Sequence, residues 1–300
     1  MQDRYAGDIG DFGKIALLNA LHDQGLSIGV NWYKTEPLDS EKNADGAYKQ
    51  NDGGYVIPLE LGKCDPVLAD KLTEIATGND RTIDALEKAA LIPGAVYHNK
   101  TATAGDRANW HAEALSFFDR HNTDLVFLDP DNGLLVSSAR ENQPRSVKYV
   151  FDKEIEEYIK HGHSVLIYNH RSRKPELRYF GDIEERLNRN PDKDEMFEIT
   201  FPRYSVRDYI AIPASAEHTA KIKAAFSAML SGVWKEKRMC QKPLTAGAAF
   251  TDYRARFKSK KEFLKHYRSL PEETVRRMIE LDEGNTTTKA CMFSEWKTGE

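Results

Sequence analysis

Four consecutive apolar residues, Leu125 to Leu128, run directly into the polar segment Asp129-Pro130-Asp131-Asn132-Gly133. A short apolar run bounded by turn residues is typical of a strand that is buried on both faces, as in a parallel sheet. Ligands of such sheets bind beyond the carboxyl ends of the strands. The segment therefore predicts an α/β fold with a functional loop at 129–133.

Helical and extended patterns alternate along the chain, which predicts a Rossmann-like, mainly parallel sheet flanked by helices. Strands are predicted at 27–33, 95–98, 124–129 and 163–168, and a closing antiparallel hairpin at 197–201 and 208–212. Helices are predicted at 11–24, 65–76, 82–90, 106–121, 151–160, 175–187 and 218–230, with Asp11 as a candidate cap of the first. The polar segment 38–55 is predicted to be a long loop, and its sequence leaves open whether it closes over a ligand.

Charge is distributed unevenly along the chain. The net charge is −4, yet residues 221–268 carry 13 Lys and Arg against three acidic residues. We therefore predict a catalytic domain at 1–232 and a small, basic, mostly helical module at 233–300. A basic module indicates a polyanionic partner such as nucleic acid, with Lys258, Lys260 and Lys261 as candidate contacts. A plain solvated surface is the alternative.

Other features bear on the compartment and the class of protein. No apolar run approaches the roughly 18 residues of a membrane span, and the charged start of the chain does not resemble a secretory signal. The three cysteines are widely spaced and indicate reduced thiols. These features predict a cytoplasmic protein without a membrane partner, and they leave its oligomeric state open. GxSxG, HExxH and GxGxxG motifs are absent from the sequence.

The glycine-rich segment 7–14 runs into the first predicted helix. Glycines such as Gly7 and Gly10 let the backbone approach a ligand, and a helix start offers free N–H groups to an anion. Lys14 adds a positive charge, and Asp11 lies between them. We predict a cofactor site here, and a glycine-rich cap without a ligand is the alternative. Thr35 and Asn99 follow two predicted strands and are further candidate cofactor contacts.

The loop after the strand 124–129 carries the candidate catalytic groups Asp129, Asp131 and Asn132. Such groups can hold an amino group for attack, or bind Mg²⁺ through oxygen ligands, or merely close an Asx turn. His170 is a fourth catalytic candidate, because it follows the strand 163–168. Arg171, Arg203 and Tyr204 are candidate substrate contacts, since guanidinium groups suit phosphate and aromatic rings suit bases.

The Asp129-Pro130 pair resembles the catalytic loop of class I S-adenosylmethionine-dependent methyltransferases. The opening Ala6-Gly7-Asp-Ile-Gly-Asp11-Phe-Gly-Lys14 is similar to the start of the ribosomal-RNA adenine-N6 methyltransferase family. The resemblance covers residues 3–214 in pattern. It implies that S-adenosylmethionine is the cofactor, that Lys14 contacts its carboxylate end, and that Asp129 accepts a hydrogen bond from the target amino group. Asp131 and Asn132 stand where the family has a second proline and an aromatic residue.

We therefore expect a methyltransferase-like enzyme that transfers a methyl group to a base amino group of a nucleic acid. One alternative is a Mg²⁺-dependent phosphoryl-transfer enzyme or nuclease, because Asp129-Pro-Asp131 also resembles the Asp-x-Asp loop of haloacid dehalogenases. In that case Asp129 and Asp131 would hold the metal. A further alternative is a non-catalytic nucleic-acid-binding protein with a degenerate site.

Overall fold

The computed structural model describes residues 1–44, 57–136, 138–141, 143–171, 196–203, 205–236 and 240–243, with Tyr179, Asp182, Ile183, Arg186 and Leu187. One compact unit comprises Met1–Arg171 and Phe197–Gln241, and a second comprises Ser172–Met196 and Lys242–Glu300. Most of the helix expected at 175–187 and most of the module expected at 233–300 lie outside the described residues. The division of the chain at 232 stays a prediction.

The helices that the structure describes are α1 (Ile9–His22), α2 (Leu59–Gly62), α3 (Pro66–Thr77), α4 (Ile83–Lys88), α5 (Arg107–Arg120), α6 (Asp152–Lys160), α7 (Ala216–Ser231) and α8 (Val233–Glu236). The strands are β1 (Ile28–Asn31), β2 (Val96–His98), β3 (Leu125–Leu128), β4 (Gly133–Leu134), β5 (Tyr149–Val150), β6 (Ser164–His170), β7 (Phe197–Arg203), β8 (Ser205–Ile212) and β9 (Cys240–Pro243). Five short elements, α2, α8, β4, β5 and β9, carry too little periodicity to be predicted from the sequence.

Seven of these strands form one mixed sheet in the order β2-β1-β3-β6-β8-β7-β9. The first four are parallel, and β8 runs antiparallel to both of its neighbours, β6 and β7. The strands β4 and β5 form a separate parallel pair. The expected mostly parallel α/β sheet with a closing antiparallel hairpin is confirmed.

Helices cover both faces of the sheet. On one face, side chains such as Phe127, Leu166 and Tyr209 belong to a core that includes residues of α1, α3, α4 and α7. On the other face, Phe118 of α5 contacts Tyr158 of α6, whose hydroxyl accepts a hydrogen bond from the Asn31 amide of β1. In the described part of the chain, every helix falls short of the length and apolar character of a membrane span.

The first helix begins two residues earlier than predicted, and its cap is Asp8 rather than Asp11. The Asp8 carboxylate accepts hydrogen bonds from the backbone N–H groups of Gly10 and Asp11, at 2.7 and 3.1 Å. Asp8 has an extended backbone, which an N-cap requires, whereas Asp11 already lies inside the helix. The Asp11 side chain is therefore available for other contacts.

The closing hairpin is longer than predicted. Residues 202–203 and 205–207 were expected in a loop, but they continue the ladder, with Phe201 paired to Arg207 and Arg203 to Ser205. The extension satisfies backbone groups that a loop would leave to solvent. Since β6 pairs His170 with Arg207, the hairpin turn lies at the same edge as the carboxyl ends of β1, β3 and β6.

Candidate functional site at the carboxyl edge of the sheet

Lys14 joins the glycine-rich start of α1 to the loop after β3. Its ammonium group donates to Asp11 Oδ1 at 2.8 Å and to Asp129 Oδ2 at 2.7 Å, and all three side chains are buried. Burial opposes the charge on Lys14, but the two carboxylates outweigh it and raise the pKa of the lysine. The two segments that the sequence singled out are therefore in direct contact.

Helix geometry explains how α1 presents this pair. Asp11 and Lys14 are one turn apart, which puts both side chains on one face of the helix. The second oxygen of Asp11 accepts the backbone N–H of Gly7 at 2.8 Å. Burial raises the pKa of Asp129, and the charge of Lys14 offsets part of that effect.

Asp131 has a separate set of partners. Its Oδ2 accepts hydrogen bonds from the Gln2 amide at 2.9 Å and from Lys148 Nζ at 3.1 Å. Its Oδ1 lies 3.1 Å from the amino group of Met1. Burial acts against ionisation, but the Met1 amino group and Lys148 outweigh it and lower the pKa of Asp131 to about 2. Asp131 is therefore a stable carboxylate at neutral pH.

Three backbone oxygens converge with Asp131 on the same nitrogen. The amino group of Met1 donates to the carbonyl oxygens of Trp32 and Tyr33, both at 2.8 Å, and to that of Asp129 at 3.1 Å. These oxygens lie where β1 and β3 end. We call the four oxygens of Trp32, Tyr33, Asp129 and Asp131 the ammonium site.

A further acid–base group lies at the start of α1. The Asp8 carboxyl is 6% exposed, and burial together with the neighbouring Asp11 raises its pKa to about 6. The positive charge of Arg207 acts in the opposite direction. Asp8 therefore changes charge closer to neutral pH than Asp131 does.

The structure brings several predicted site residues together. Asp11, Lys14, Asp129 and Asp131 form the contacts given above, and the Thr35 hydroxyl lies 3.5 Å from Asp131 Oδ2. Two other predicted catalytic residues lie beside them. Asn132 is partly exposed, and its backbone N–H donates to the carbonyl of Lys148 at 2.9 Å. His170 is exposed, and its ring lies 5.3 Å from that of Tyr168.

Other predicted residues have different contacts. The exposed Asn99 amide donates to Glu87 at 3.0 Å, and Arg171 forms an ion pair with the buried Asp208. Those contacts are an alternative to the cofactor and phosphate roles predicted for them. The side chain of Arg203, and all of Tyr204, Lys258, Lys260 and Lys261, lie outside the described residues.

Packing accounts for the glycines of the first segment. A Cβ at Gly7 would lie 2.6 Å from the carbonyl oxygen of Leu72 in α3, and Gly7 has a positive φ of 77°. A Cβ at Gly10 would lie 2.9 Å from the Asp8 carboxylate. Close packing therefore explains the small residues at both positions, whether or not a ligand binds there.

The site is also more enclosed than expected. Asp129 is 3% exposed, and the side chain of Asp131 is 7% exposed. A ligand-binding loop at the carboxyl ends of parallel strands ordinarily lines an open crevice. Here the two carboxylates of the loop are covered by Met1, Gln2 and the lysine side chains that they bind.

Sequence reasoning missed Lys148, Gln2 and Asp8 as members of this site. Lys148 reaches Asp131 only because β5, which follows it, pairs with β4. Two-residue strands leave no periodic signal, so nothing in the sequence placed this lysine there. Asp8 had a usable signal, since an Asp before a helix start is a preferred cap.

The chemistry available here is that of a buried ion network with acceptor oxygens. Among the described residues, no group of three or more His, Cys, Asp and Glu side chains could hold a metal ion. No protein-family model and no curated protein matches the chain.

Proposed function

We propose that this chain is a methyltransferase-like enzyme that acts on nucleic acid and uses S-adenosylmethionine to methylate a base amino group. The observation that carries the proposal is the ammonium site, in which three backbone oxygens and one carboxylate accept a single amino group. This site lies at the carboxyl ends of adjacent parallel strands, where α/β sheets bind their ligands.

The methionine end of this cofactor carries an ammonium and a carboxylate. The four acceptor oxygens suit the ammonium, and Lys14 suits the carboxylate. The amino group held here belongs to a methionine, Met1, and its sulfur lies 3.6 Å from Lys14 Nζ. A cofactor ammonium would replace the Met1 amino group at the same oxygens, and Lys14 would face the cofactor carboxylate. When bound, S-adenosylmethionine supplies an electrophilic methyl group.

Asp129 has the contacts expected of a residue that orients the acceptor. Lys14 binds its Oδ2, and no residue in the described ranges donates a hydrogen bond to its Oδ1. The free oxygen can accept a hydrogen bond from a base amino group and hold its nitrogen for attack. The fixed charge of Lys14 keeps Asp129 in place while it does so.

The hairpin formed by β7 and β8 and the basic segment at 221–268 support the same proposal. The methyltransferase resemblance in the sequence implies a closing hairpin after the strand 163–168, and β7 with β8 forms one. The basic segment at 221–268 supports nucleic acid as the substrate, because it would neutralise phosphates.

A non-catalytic role is the second candidate, and the closed ion network favours it. Asp11 and Asp129 share Lys14, and Asp131 pairs with Met1 and Lys148, so the network stabilises the fold without a ligand. The Mg²⁺-dependent alternative has less support, because a metal ion would have to displace Lys14 from Asp129 and Lys148 from Asp131.

Ligand binding separates these candidates. We expect S-adenosylmethionine and S-adenosylhomocysteine to raise the melting temperature of the full chain in a concentration-dependent way, and MgCl₂ alone to leave it unchanged. A shift with Mg²⁺ alone would favour phosphoryl transfer. No shift with any of them would reject the enzyme proposal and leave the non-catalytic role.

Methyl transfer tests the role of Asp129. With radiolabelled S-adenosylmethionine and mixed DNA and RNA, Asp129→Ala should lower incorporation by about a hundredfold or more, because the acceptor loses its orienting oxygen. Asp70→Ala, on the exposed surface of α3, is the matched control. Equal incorporation in both variants would remove Asp129 from the mechanism.

A further inference from the structure

The loop after β3 passes the end of β6, and the side chain of Asn169 in β6 binds the backbone of the loop. The buried Asn169 amide accepts the backbone N–H of Leu134 through Oδ1, at 2.8 Å. The preceding residue, Gly133, has a φ of 96°, and a Cβ there would overlap the Asn169 amide oxygen. It would also lie 2.8 Å from the Asn169 Cα. The loop backbone therefore packs directly on Asn169.

The opposite side of the loop is tied to the segment that carries Lys148. The N–H of Asn132 donates to the carbonyl of Lys148 at 2.9 Å, and that of Leu135 donates to Val150 at 3.0 Å. The loop is thus fixed from two directions, by Asn169 on β6 and by the backbone around β5. Asp131 directly precedes the first tied residue, Asn132.

We propose that Asn169 is a positioning residue. It holds the 129–133 loop so that the oxygens of Asp129 and Asp131 stay in place as part of the ammonium site. The loop supplies two of the four oxygens of that site, one from the backbone of Asp129 and one from the side chain of Asp131. This role of Asn169 in loop geometry is independent of the chemistry of the site. Its effect on cofactor binding rests on the proposed function.

An amide suits this position for an electrostatic reason. Asn169 pairs with Asp208 across β6 and β8, and Asp208 is fully buried. A neutral amide oxygen accepts the Leu134 N–H without bringing a second negative charge beside that carboxylate. An aspartate would keep the acceptor but would add repulsion in a buried setting.

This difference separates a positioning role from simple space filling. Asn169→Leu keeps the branched skeleton of the side chain and removes the acceptor, whereas Asn169→Asp keeps the acceptor and adds a charge near Asp208. We expect hydrogen exchange of the Leu134 amide to become about tenfold faster in the leucine variant. In the aspartate variant it should stay near the wild-type rate even though global stability falls. The amide of Asp129, which donates to Asn31 on β1, is the internal reference.

Leu134 exchange that follows global stability in both variants would overturn the proposal, as would an unchanged rate in Asn169→Leu. A second measurement is the dissociation constant for S-adenosylmethionine, which should rise about tenfold in the leucine variant and little in the aspartate variant. If the wild-type chain does not bind S-adenosylmethionine, the proposed function fails, whereas the exchange result still decides the role of Asn169.

Discussion

The strands β7 and β8 contain two fully buried carboxyl groups that share one guanidinium. Arg171 donates to Asp208 through two nitrogens, at 2.8 and 2.5 Å, and lies 3.3 Å from Glu198 Oε1. The Thr200 hydroxyl lies 2.9 Å from Asp208 and 3.2 Å from Glu198. One arginine neutralises one carboxylate, so the second must keep its proton. Burial, and then the charge of Asp208, raise the pKa of Glu198 well above 4.5.

We therefore predict that Glu198→Gln is more stable than wild type, by a difference in the free energy of unfolding that grows as the pH rises. Glutamine has the shape of the protonated acid and cannot ionise. A carboxyl whose pKa is raised by folding stabilises the fold below its unfolded pKa, here 4.5, and loses that contribution as the pH rises toward the folded value. Wild type should thus lose about 1.4 kcal/mol per pH unit relative to the variant in this window. That corresponds to about 3–6 °C in melting temperature per pH unit.

Urea unfolding at half-unit steps from pH 4.5 to 8 measures this difference. Glu74→Gln, on the exposed surface of α3, is the control and should follow wild type at every pH. Asp208→Asn should flatten the pH dependence, because Glu198 then becomes the partner of Arg171. Curves for wild type and Glu198→Gln that stay parallel over the whole range would refute the shared proton.

Two further substitutions test the packing and charges of α1. Lys14→Met should lower the free energy of unfolding by about 3–5 kcal/mol, because it leaves buried carboxylates without their cation, whereas the exposed Lys63→Met should have little effect. Gly13→Ala should cost about 1–3 kcal/mol, since its Cβ would lie 2.6 Å from the Phe201 ring. Gly105→Ala, where nothing lies within 4 Å, should be close to neutral in the same urea titrations.

Local patterns were sufficient to predict most of the fold. The strand predicted at 124–129 is observed as Leu125–Leu128, and the helix predicted at 106–121 is observed as Arg107–Arg120. Both have an apolar pattern that matches one element type over its whole length. The hairpin was less well predicted, because Arg203 and Arg207 are polar and suggested a loop. Their backbones nevertheless pair, since β8 lies between β6 and β7 and its ladder hydrogen bonds outweigh side-chain polarity.

The candidate site was predicted only where its residues follow recognisable elements. Asp129 follows a clearly predicted strand, and general rules for parallel sheets make such a position a candidate site. Lys14 was a candidate because it lies at the glycine-rich start of the first helix. Lys148 and Gln2 are brought to Asp131 by tertiary contacts that leave no local pattern. The sequence also could not reveal that Asp129 pairs with Lys14 and Asp131 with Lys148, because charge pairing depends on distances between remote segments.

Charge balance limits which ligands this network can accept. A buried charge without a partner is costly, so a ligand that displaces the Met1 amino group must supply another cation to Asp131. A zwitterionic amino-acid end supplies that cation, so Asp131 keeps two cationic partners, and its carboxylate adds one negative charge that can approach Lys14. A phosphate brings only negative charge to lysines that already have carboxylate partners, and it leaves Asp131 with one cation fewer. The same contacts that enclose the site therefore favour a ligand with an ammonium group over one that carries only phosphate.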